Sequence, residues 1–100
     1  MKSFYIAGIK YQDSLSYINV LKPTDLLLIL PESTNPTDNL ALAVFYKSVK
    51  IGYVPRDIAI EFYNHLNVSG CMNARIIGFF PDRPLWKRFK IQPIIKAFYN

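Results

Sequence analysis

The sequence has very few of the residues that small stapled or metal-binding domains need. Its 100 residues include one cysteine, one histidine and four glycines. The lone Cys71 cannot form an internal disulfide, and one cysteine with one histidine excludes an ordinary structural zinc site. Gly8, Gly52, Gly70 and Gly78 are isolated from one another, so a glycine-rich phosphate loop is absent. We therefore expect a domain without metal or cofactor.

Long apolar runs are also missing. The run Leu26–Leu30 stops at Pro31, and the run Phe4–Ile9 ends at Lys10. Both are far shorter than the roughly 20 residues that cross a bilayer, and the second is too short for the apolar region of a signal peptide. The sequence therefore predicts a soluble, cytoplasmic protein with no membrane partner.

What the chain does contain is typical of one folded domain. Apolar residues make up 51% of it and charged residues 19%, which excludes disorder of the whole chain. A chain of this length supports one hydrophobic core, so we expect a single domain over residues 1–100. Seven tyrosines, seven phenylalanines and many β-branched residues favour strands over helices.

Local patterns predict five or six short strands and one helix. Apolar or alternating segments predict strands at 3–9, 26–30, 39–46, 51–54, 71–80 and 88–95. Ile58, Phe62 and Leu66 recur every fourth residue after Pro55, which predicts a helix over 56–66. A weak helical turn or an irregular segment is expected within 14–21, and turns are expected at 23–25 and 81–84. One helix among several short strands favours a mainly β (α+β) fold, a small barrel capped by the helix.

The positive charge is concentrated at the end of the chain. Residues 1–80 carry seven Lys/Arg and six Asp/Glu, a net of +1, whereas residues 81–100 carry five Lys/Arg against Asp82, a net of +4. This distribution fits a solvated face that keeps the protein soluble, and it equally fits a basic patch that binds an anion such as nucleic acid. Interleaved aromatic residues suit either base stacking or a core strand.

No set of residues predicts catalysis. His65 lies near the expected helix end and Cys71 at an expected strand start, where each has an ordinary structural role. The seven carboxylates are scattered, and no pair has a spacing that indicates general acid–base chemistry. We therefore expect that the protein is not an enzyme.

Three polar segments are candidate binding sites. The loop Asn35–Asn39 contains asparagine, proline and aspartate, and turn chemistry alone explains these residues. The alternative is a rigid polar loop that places one amide and one carboxylate at a pocket. Lys10 and Tyr11 follow the first strand, where a cation and a ring suit a phosphate and a base. Arg56 begins the helix, where a guanidinium and backbone N–H groups suit an anion, although a solvent-facing role fits it as well.

Taken in order, these segments resemble the HIRAN domain family. The similarity covers about residues 4–80. It comprises Ala7-Gly8-Ile9-Lys10-Tyr11, Leu26-Leu27-Leu28, Glu32, the loop Asn35-Pro36-Thr37-Asp38-Asn39 with the following Leu40-Ala41-Leu42-Ala43-Val44, then Ile51-Gly52-Tyr53-Val54-Pro55-Arg56 and Ile58-Ala59. Each motif is weak by itself, whereas their order and spacing are specific.

The resemblance implies a modified OB-like β-barrel that binds DNA. In its best understood member, the module captures the free 3′ end of single-stranded DNA. The matching positions imply that Lys10 and Tyr11 form a cation–aromatic pair at the site. They also imply that Asn35 and Asp38 lie at the site, where Asp38 accepts a hydrogen bond from the 3′-hydroxyl. Arg56 matches the cation at the start of the helix. The implied set is completed by Thr37, Tyr53 and a late aromatic residue, Phe79 or Phe80.

Two positions depart from that relative. At the position of Thr37 the relative has a tyrosine that packs on the end nucleotide. At the position of Lys10 it has an arginine, and a lysine ammonium lacks the planar, two-pronged donor geometry of a guanidinium. These differences predict weaker end recognition or a different ligand.

The sequence thus favours a DNA-binding module for single strands or 3′ ends, accessory to DNA repair or replication, with a helicase or nuclease partner. Because no ATPase motor accompanies the motifs, we expect a free-standing copy of the domain. Two alternatives stay open. The first is a protein-interaction module that binds a partner peptide along an exposed barrel edge, and the second is an accessory domain that recruits a nuclease or helicase.

Overall fold

The fold of this chain is mainly β, with one short helix. The computed structural model describes residues 2–9, 21–22, 25–66 and 70–94. The elements are β1 (Phe4–Tyr5), β2 (Leu26–Pro31), β3 (Leu42–Tyr46), β4 (Val49–Tyr53), α1 (Arg56–Tyr63), β5 (Met72–Phe79) and β6 (Phe89–Ile94), with a 3₁₀ turn at Leu85–Lys87. In this described part of the chain, no helix has the length and apolar character needed to cross a membrane.

All six strands belong to one antiparallel sheet, in the order β1-β6-β5-β2-β3-β4. Just after β1, Ala7 exchanges two backbone hydrogen bonds of 2.8 Å with Tyr53 at the end of β4. The first and last strands of the order are therefore brought together, and the sheet curls into a small OB-like barrel. This confirms the predicted fold class.

The barrel interior is filled by alternate residues of the strands. The side chains that are less than 2% exposed include those of Ile6, Ile29, Leu42, Val44, Ile51, Phe62, Ile76, Phe89 and Ile91. Helix α1 contributes Ala59 and Phe62 to this core. The Phe62 ring meets the Phe4 ring edge to face, with 5.5 Å between the ring centroids. The apolar stripe predicted for the helix is therefore confirmed as a core-facing stripe.

Gly52 is the position where the barrel closes most tightly. A Cβ atom built on Gly52 would lie 2.6 Å from the carbonyl oxygen of Ala7 and would collide with the side chain of Ile6. The segment after β1 can approach β4 only because residue 52 has no side chain. Gly8, which follows, has φ +70°, so the chain turns away there at a conformation that glycine adopts without strain.

Two β-bulges change which face the side chains occupy. In β4, Lys50 is paired with Phe45 and Gly52 with Val44, so Ile51 is an extra residue. In β5, Ile76 is paired with Ile91 and Gly78 with Lys90, so Ile77 is extra. Because an extra residue reverses the alternation beyond it, Lys50 and Tyr53 share one face although they are three positions apart.

Several predicted boundaries are wrong by a few residues. The predicted strand 3–9 pairs with β6 over only two residues, because the chain pairs with Tyr53 of β4 at Ala7. The predicted strands 39–46 and 51–54 begin at Leu42 and Val49. The helix ends at Tyr63, not at residue 66, although Leu66 still packs against the core from the following turn. The weak helical turn expected within 14–21 lies outside the described residues, apart from the buried Leu21.

Candidate functional site

A pocket of about 240 Å³ lies where four segments of the chain meet. These segments are the turn after β1, the loop between β2 and β3, the end of β4 and the first turns of α1. The lining residues are Ala7, Gly8, Asn35, Thr37, Asp38, Ala41, Tyr53, Val54, Arg56 and Ala59. The Ala7–Tyr53 bridge that closes the barrel therefore also joins two walls of the pocket.

The loop between β2 and β3 forms one wall, and its own side chains fix its shape. The backbone N–H of Glu32 donates to the carbonyl of Ala41 at 2.8 Å, which ties the two ends of the loop together. Within the loop, the side-chain oxygen Oδ1 of Asn35 accepts the backbone N–H groups of Thr37 and Asp38 at 2.9 and 3.0 Å. Such side-chain acceptors replace the missing backbone partners of an irregular segment.

Asp38, like Asn35, accepts backbone N–H groups of its own loop. Its Oδ1 accepts the backbone N–H of Leu40 at 3.0 Å, and its carbonyl accepts the N–H of Ala41 at 3.1 Å. Its second carboxylate oxygen, Oδ2, remains directed toward α1. The turn chemistry predicted for this loop and the placement of a carboxylate at a pocket are thus both realised by the same residue.

The other face of Asn35 belongs to a cluster of four polar side chains. Glu32 accepts hydrogen bonds from Tyr53 Oη at 2.7 Å, from Lys50 Nζ at 2.8 Å and from Asn35 Nδ2 at 3.0 Å. Lys50 also donates to Tyr53 Oη at 3.1 Å, a contact that the β4 bulge makes possible. We refer to Glu32, Asn35, Lys50 and Tyr53 as the Glu32 cluster. It fixes the Asn35 amide and the Tyr53 ring relative to each other.

Ionisation of the cluster is shifted toward the charged forms. Burial raises the pKa of Glu32, but the hydrogen bonds from Lys50, Tyr53 and Asn35 and the charge of Lys50 outweigh it, so the pKa lies below the usual 4.5. The hydrogen bonds of Lys50 to Glu32 and Tyr53 raise the pKa of the lysine above 10.5 despite its burial. The pair therefore stays ionised across the neutral pH range.

Arg56 faces Asp38 across the pocket mouth. Its Nε donates to Asp38 Oδ2 at 3.3 Å and its Nη2 to the carbonyl of Thr37 at 3.4 Å. The Arg56 side chain is 74% exposed and the Asp38 side chain 23% exposed, so the arginine is much the more accessible partner. Burial, together with the negative charge of Asp38, raises the pKa of Tyr63 above its usual 10.0.

Chemically, the pocket combines one carboxylate and one guanidinium with a small apolar wall. Ala41, Val54 and Ala59 supply the wall. A carboxylate oxygen accepts a hydroxyl proton, and a guanidinium beside it binds an anion, so the pair suits a ligand that carries a hydroxyl close to a phosphate. Among the described residues, no group of three His, Cys, Asp or Glu side chains could hold a metal ion.

Comparison with known proteins decides the family. The family model of the HIRAN domain matches residues 1–92 of the 100-residue chain. The chain belongs to the HIRAN domain family. The HIRAN family is a family of DNA-binding modules, which supports nucleic-acid binding by this domain. No curated protein and no solved structure is significantly similar to the chain.

The HIRAN domain brings five of the nine predicted site residues together. The same pocket is lined by all five, although 21 positions of sequence separate the first from the last: Asn35, Thr37, Asp38, Tyr53 and Arg56. The predicted cation–aromatic pair of Lys10 and Tyr11 lies outside the described residues, and Lys10 is two positions after the pocket residue Gly8 in sequence.

The two predicted aromatic residues of the late strand are not among the pocket residues. The bulge at Ile77 turns Phe79 inward, where its ring stacks on the buried Phe89 with 5.1 Å between centroids. Phe80 follows the strand, and the guanidinium carbon of Arg83 lies 3.9 Å from the centre of its ring. A part for either ring in DNA binding stays a prediction.

Sequence reasoning gave no role to Lys50, and it named Glu32 only within the family pattern. The sequence around Glu32 and Lys50 does not indicate that the two side chains form an ion pair. Their contact requires the β3–β4 hairpin to bring Lys50 to the loop, and the bulge to place it beside Tyr53. The one available signal is the spacing of Glu32 three residues before Asn35, which is the spacing of a side chain that reaches back across a turn.

Proposed function

We propose that this HIRAN domain binds DNA at the pocket formed by the Asn35–Asn39 loop and α1, with preference for the exposed 3′ end of a single strand. It binds without catalysing a reaction. In the cytoplasm it serves DNA repair or replication by delivering this recognition to a helicase or nuclease partner. The family supports nucleic-acid binding, and the pocket chemistry supports the finer preference.

The observation that carries the proposal is the pairing of Asp38 with Arg56. A carboxylate repels a phosphate backbone unless a cation offsets its charge or a ligand group donates a hydrogen bond to it, and Arg56 already supplies the cation for Asp38. A terminal 3′-hydroxyl is such a donor, and the adjacent Arg56 guanidinium is exposed enough to bind the preceding phosphate. The acceptor and the cation are 3.3 Å apart, which suits two groups on one nucleotide.

The test compares two single-stranded oligonucleotides that differ only in a 3′-hydroxyl or a 3′-phosphate. Hydrogen bonds to charged groups contribute about 1.5–3 kcal/mol, so the wild-type domain should prefer the hydroxyl about tenfold or more. Asp38→Asn should remove the preference, because it removes the charge that repels the phosphate while keeping the side-chain shape.

Asp57→Asn is the matched control. Asp57 is exposed in the first turn of α1 and does not line the pocket, but its substitution changes the net charge equally. It should leave the preference intact. Equal wild-type affinities for the two oligonucleotides would remove 3′-end selection from the proposal. The alternative, a module that binds a peptide along a strand edge, gains no support from this pocket, because Tyr53 at the end of β4 is already bridged to Ala7.

A further inference from the structure

A group of three cations and two aromatic rings lies on the outer face of β1, β6 and the turn after β5. It consists of Tyr5, Phe80, Arg83, Arg88 and Lys90, which we call the Arg83 cluster. Tyr5 and Lys90 are direct cross-strand partners, and the Lys90 ammonium lies 5.8 Å from the centre of the Tyr5 ring. None of these five residues lines the pocket described above.

Aromatic rings hold the cations of this cluster in place. The Arg83 guanidinium stacks on Phe80 at 3.9 Å, and its Nη1 donates to the Tyr5 hydroxyl at 3.0 Å. Phe80 can lie flat because Gly78 is beneath it: a Cβ at Gly78 would be 2.9 Å from the Phe80 ring and 3.5 Å from the Lys90 Cβ. The absence of a side chain at Gly78 therefore leaves the space that the Phe80 ring occupies beside Lys90.

Arg88 joins the cluster through the backbone. Its Nε and Nη2 donate to the carbonyl of Arg83 at 3.1 and 2.8 Å, and its own carbonyl accepts the N–H of Phe80 at 2.9 Å. Two guanidinium groups are thus held on one short turn. Such placement of like charges is unfavourable in the unliganded protein and favourable when an anion is bound.

No carboxylate neutralises these cations in the described part of the chain. Its two ion pairs are Lys50–Glu32 and Arg56–Asp38, and neither involves this cluster. Asp82 is adjacent to Arg83 in sequence and is exposed, and neither of the two ion pairs of the described residues includes it. The cluster therefore keeps a net positive charge.

We propose that the Arg83 cluster binds the phosphodiester backbone of the strand whose end occupies the pocket. This inference rests on the proposed function. Tyr5 and the pocket residue Ala7 are two positions apart on an extended segment, a separation of about 7 Å, so the cluster begins where the pocket wall ends. The planar guanidinium of an arginine presents a fork of N–H donors that binds two phosphate oxygens, and Arg83, stacked on Phe80, offers such a group. Phe80 acts here as the support for a cation.

The experiment measures binding of fluorescent deoxythymidine oligomers of 3 and 12 nucleotides at several salt concentrations. The test variant is Arg83→Gln/Lys90→Gln, and the control is Lys22→Gln/Lys47→Gln, which removes two exposed positive charges outside the cluster. Each phosphate contact adds about 0.7 to the slope of log affinity against log salt for single strands. Two lost contacts should therefore flatten the slope by about 1.4 for the 12-mer.

In practical terms, raising salt from 50 to 200 mM should weaken 12-mer binding by wild type about sevenfold more than binding by the test variant. Binding of the 3-mer and the preference for a 3′-hydroxyl should not change. The single variant Arg83→Lys, with Lys90 unchanged, should keep most of the wild-type salt dependence of 12-mer binding, because the positive charge is kept. An unchanged thermal midpoint shows that the variants are folded.

The proposal is overturned if the control variant flattens the slope as much as the test variant, or if the 3-mer and the 12-mer are affected equally. Tighter binding of polyglutamate than of the 12-mer would assign the cluster to an acidic protein instead. Failure of the proposed function has a different signature, because wild type would then show no 3′ preference while the slope difference persisted. A 12-base-pair duplex, tested in parallel, distinguishes a single-stranded from a double-stranded source of the phosphates.

Discussion

Substitution of Gly52 by alanine tests the closure of the barrel and the pocket together. The new Cβ would be 2.6 Å from the Ala7 carbonyl oxygen and would overlap the Ile6 side chain. The carbonyl cannot move independently, because it accepts the Tyr53 N–H at 2.8 Å and belongs to the two-bond bridge. Relief of the overlap therefore requires the segment after β1 to separate from β4.

The cost of Gly52→Ala follows from these contacts. Overpacking of a filled interior costs about 1–3 kcal/mol, and each backbone hydrogen bond of the bridge contributes about 1 kcal/mol. We expect the free energy of unfolding to fall by about 3–5 kcal/mol. For a domain of this size, that is a decrease of more than about 12 °C in the melting temperature.

Urea unfolding followed by tyrosine and tryptophan fluorescence measures this change, with Gly70→Ala as the matched glycine control. Gly70 has φ +79° and nothing within 4 Å of an added Cβ, so alanine there introduces backbone strain without overlap. That strain is about 1–2 kcal/mol. If Gly52→Ala is no more destabilising than Gly70→Ala, the reasoning from close approach at the bridge is refuted.

Three further predictions concern the core, the Glu32 cluster and the pocket cation. Phe62→Ala should lower the free energy of unfolding by about 3–5 kcal/mol, because its ring is 1% exposed; an unchanged denaturation midpoint would contradict its place in the core. Because folding lowers the pKa of Glu32, its ionised form stabilises the fold above pH 4.5, and this stability is lost as the pH falls through the lower pKa of the folded state. Glu32→Gln should therefore reduce the loss of stability in acid, measured as melting temperature against pH. Arg56→Ala should flatten the salt dependence of single-strand binding by about 0.7 from a wild-type slope near −2 to −3, and a wild-type slope of zero would exclude phosphate contacts.

The sequence allowed the strand number, the helix start and the polar loop to be predicted. These features depend on local signals: alternation of apolar residues, the helical spacing of Ile58 and Phe62, and the turn residues of the Asn35–Asn39 loop. The helix end at Tyr63 was missed because Leu66 continues the apolar spacing while packing from a turn. Apolar spacing reports burial, and burial does not require a helix.

The two bulges explain what could not be predicted about the site. A bulge is defined by the partner strand, so the alternation within β4 or β5 alone does not reveal it. At Ile51 it places Lys50 beside Tyr53, which creates the Glu32 cluster. At Ile77 it turns the partly buried Phe79 toward the core, where it packs on Phe89. The sequence indicated which residue types are available for binding, whereas pairing between strands decides which of them face the ligand.

The loop between β2 and β3 has a thermodynamic consequence for binding. Its ends are joined by the Glu32–Ala41 hydrogen bond, and the backbone N–H groups of Thr37, Asp38 and Leu40 are bonded to side chains of the loop itself. The conformational entropy of this segment is therefore lost when the protein folds, and little more is lost when a ligand arrives. If DNA binds at the pocket as proposed, calorimetry should accordingly report a small ordering entropy, because this wall of the pocket is already ordered before binding.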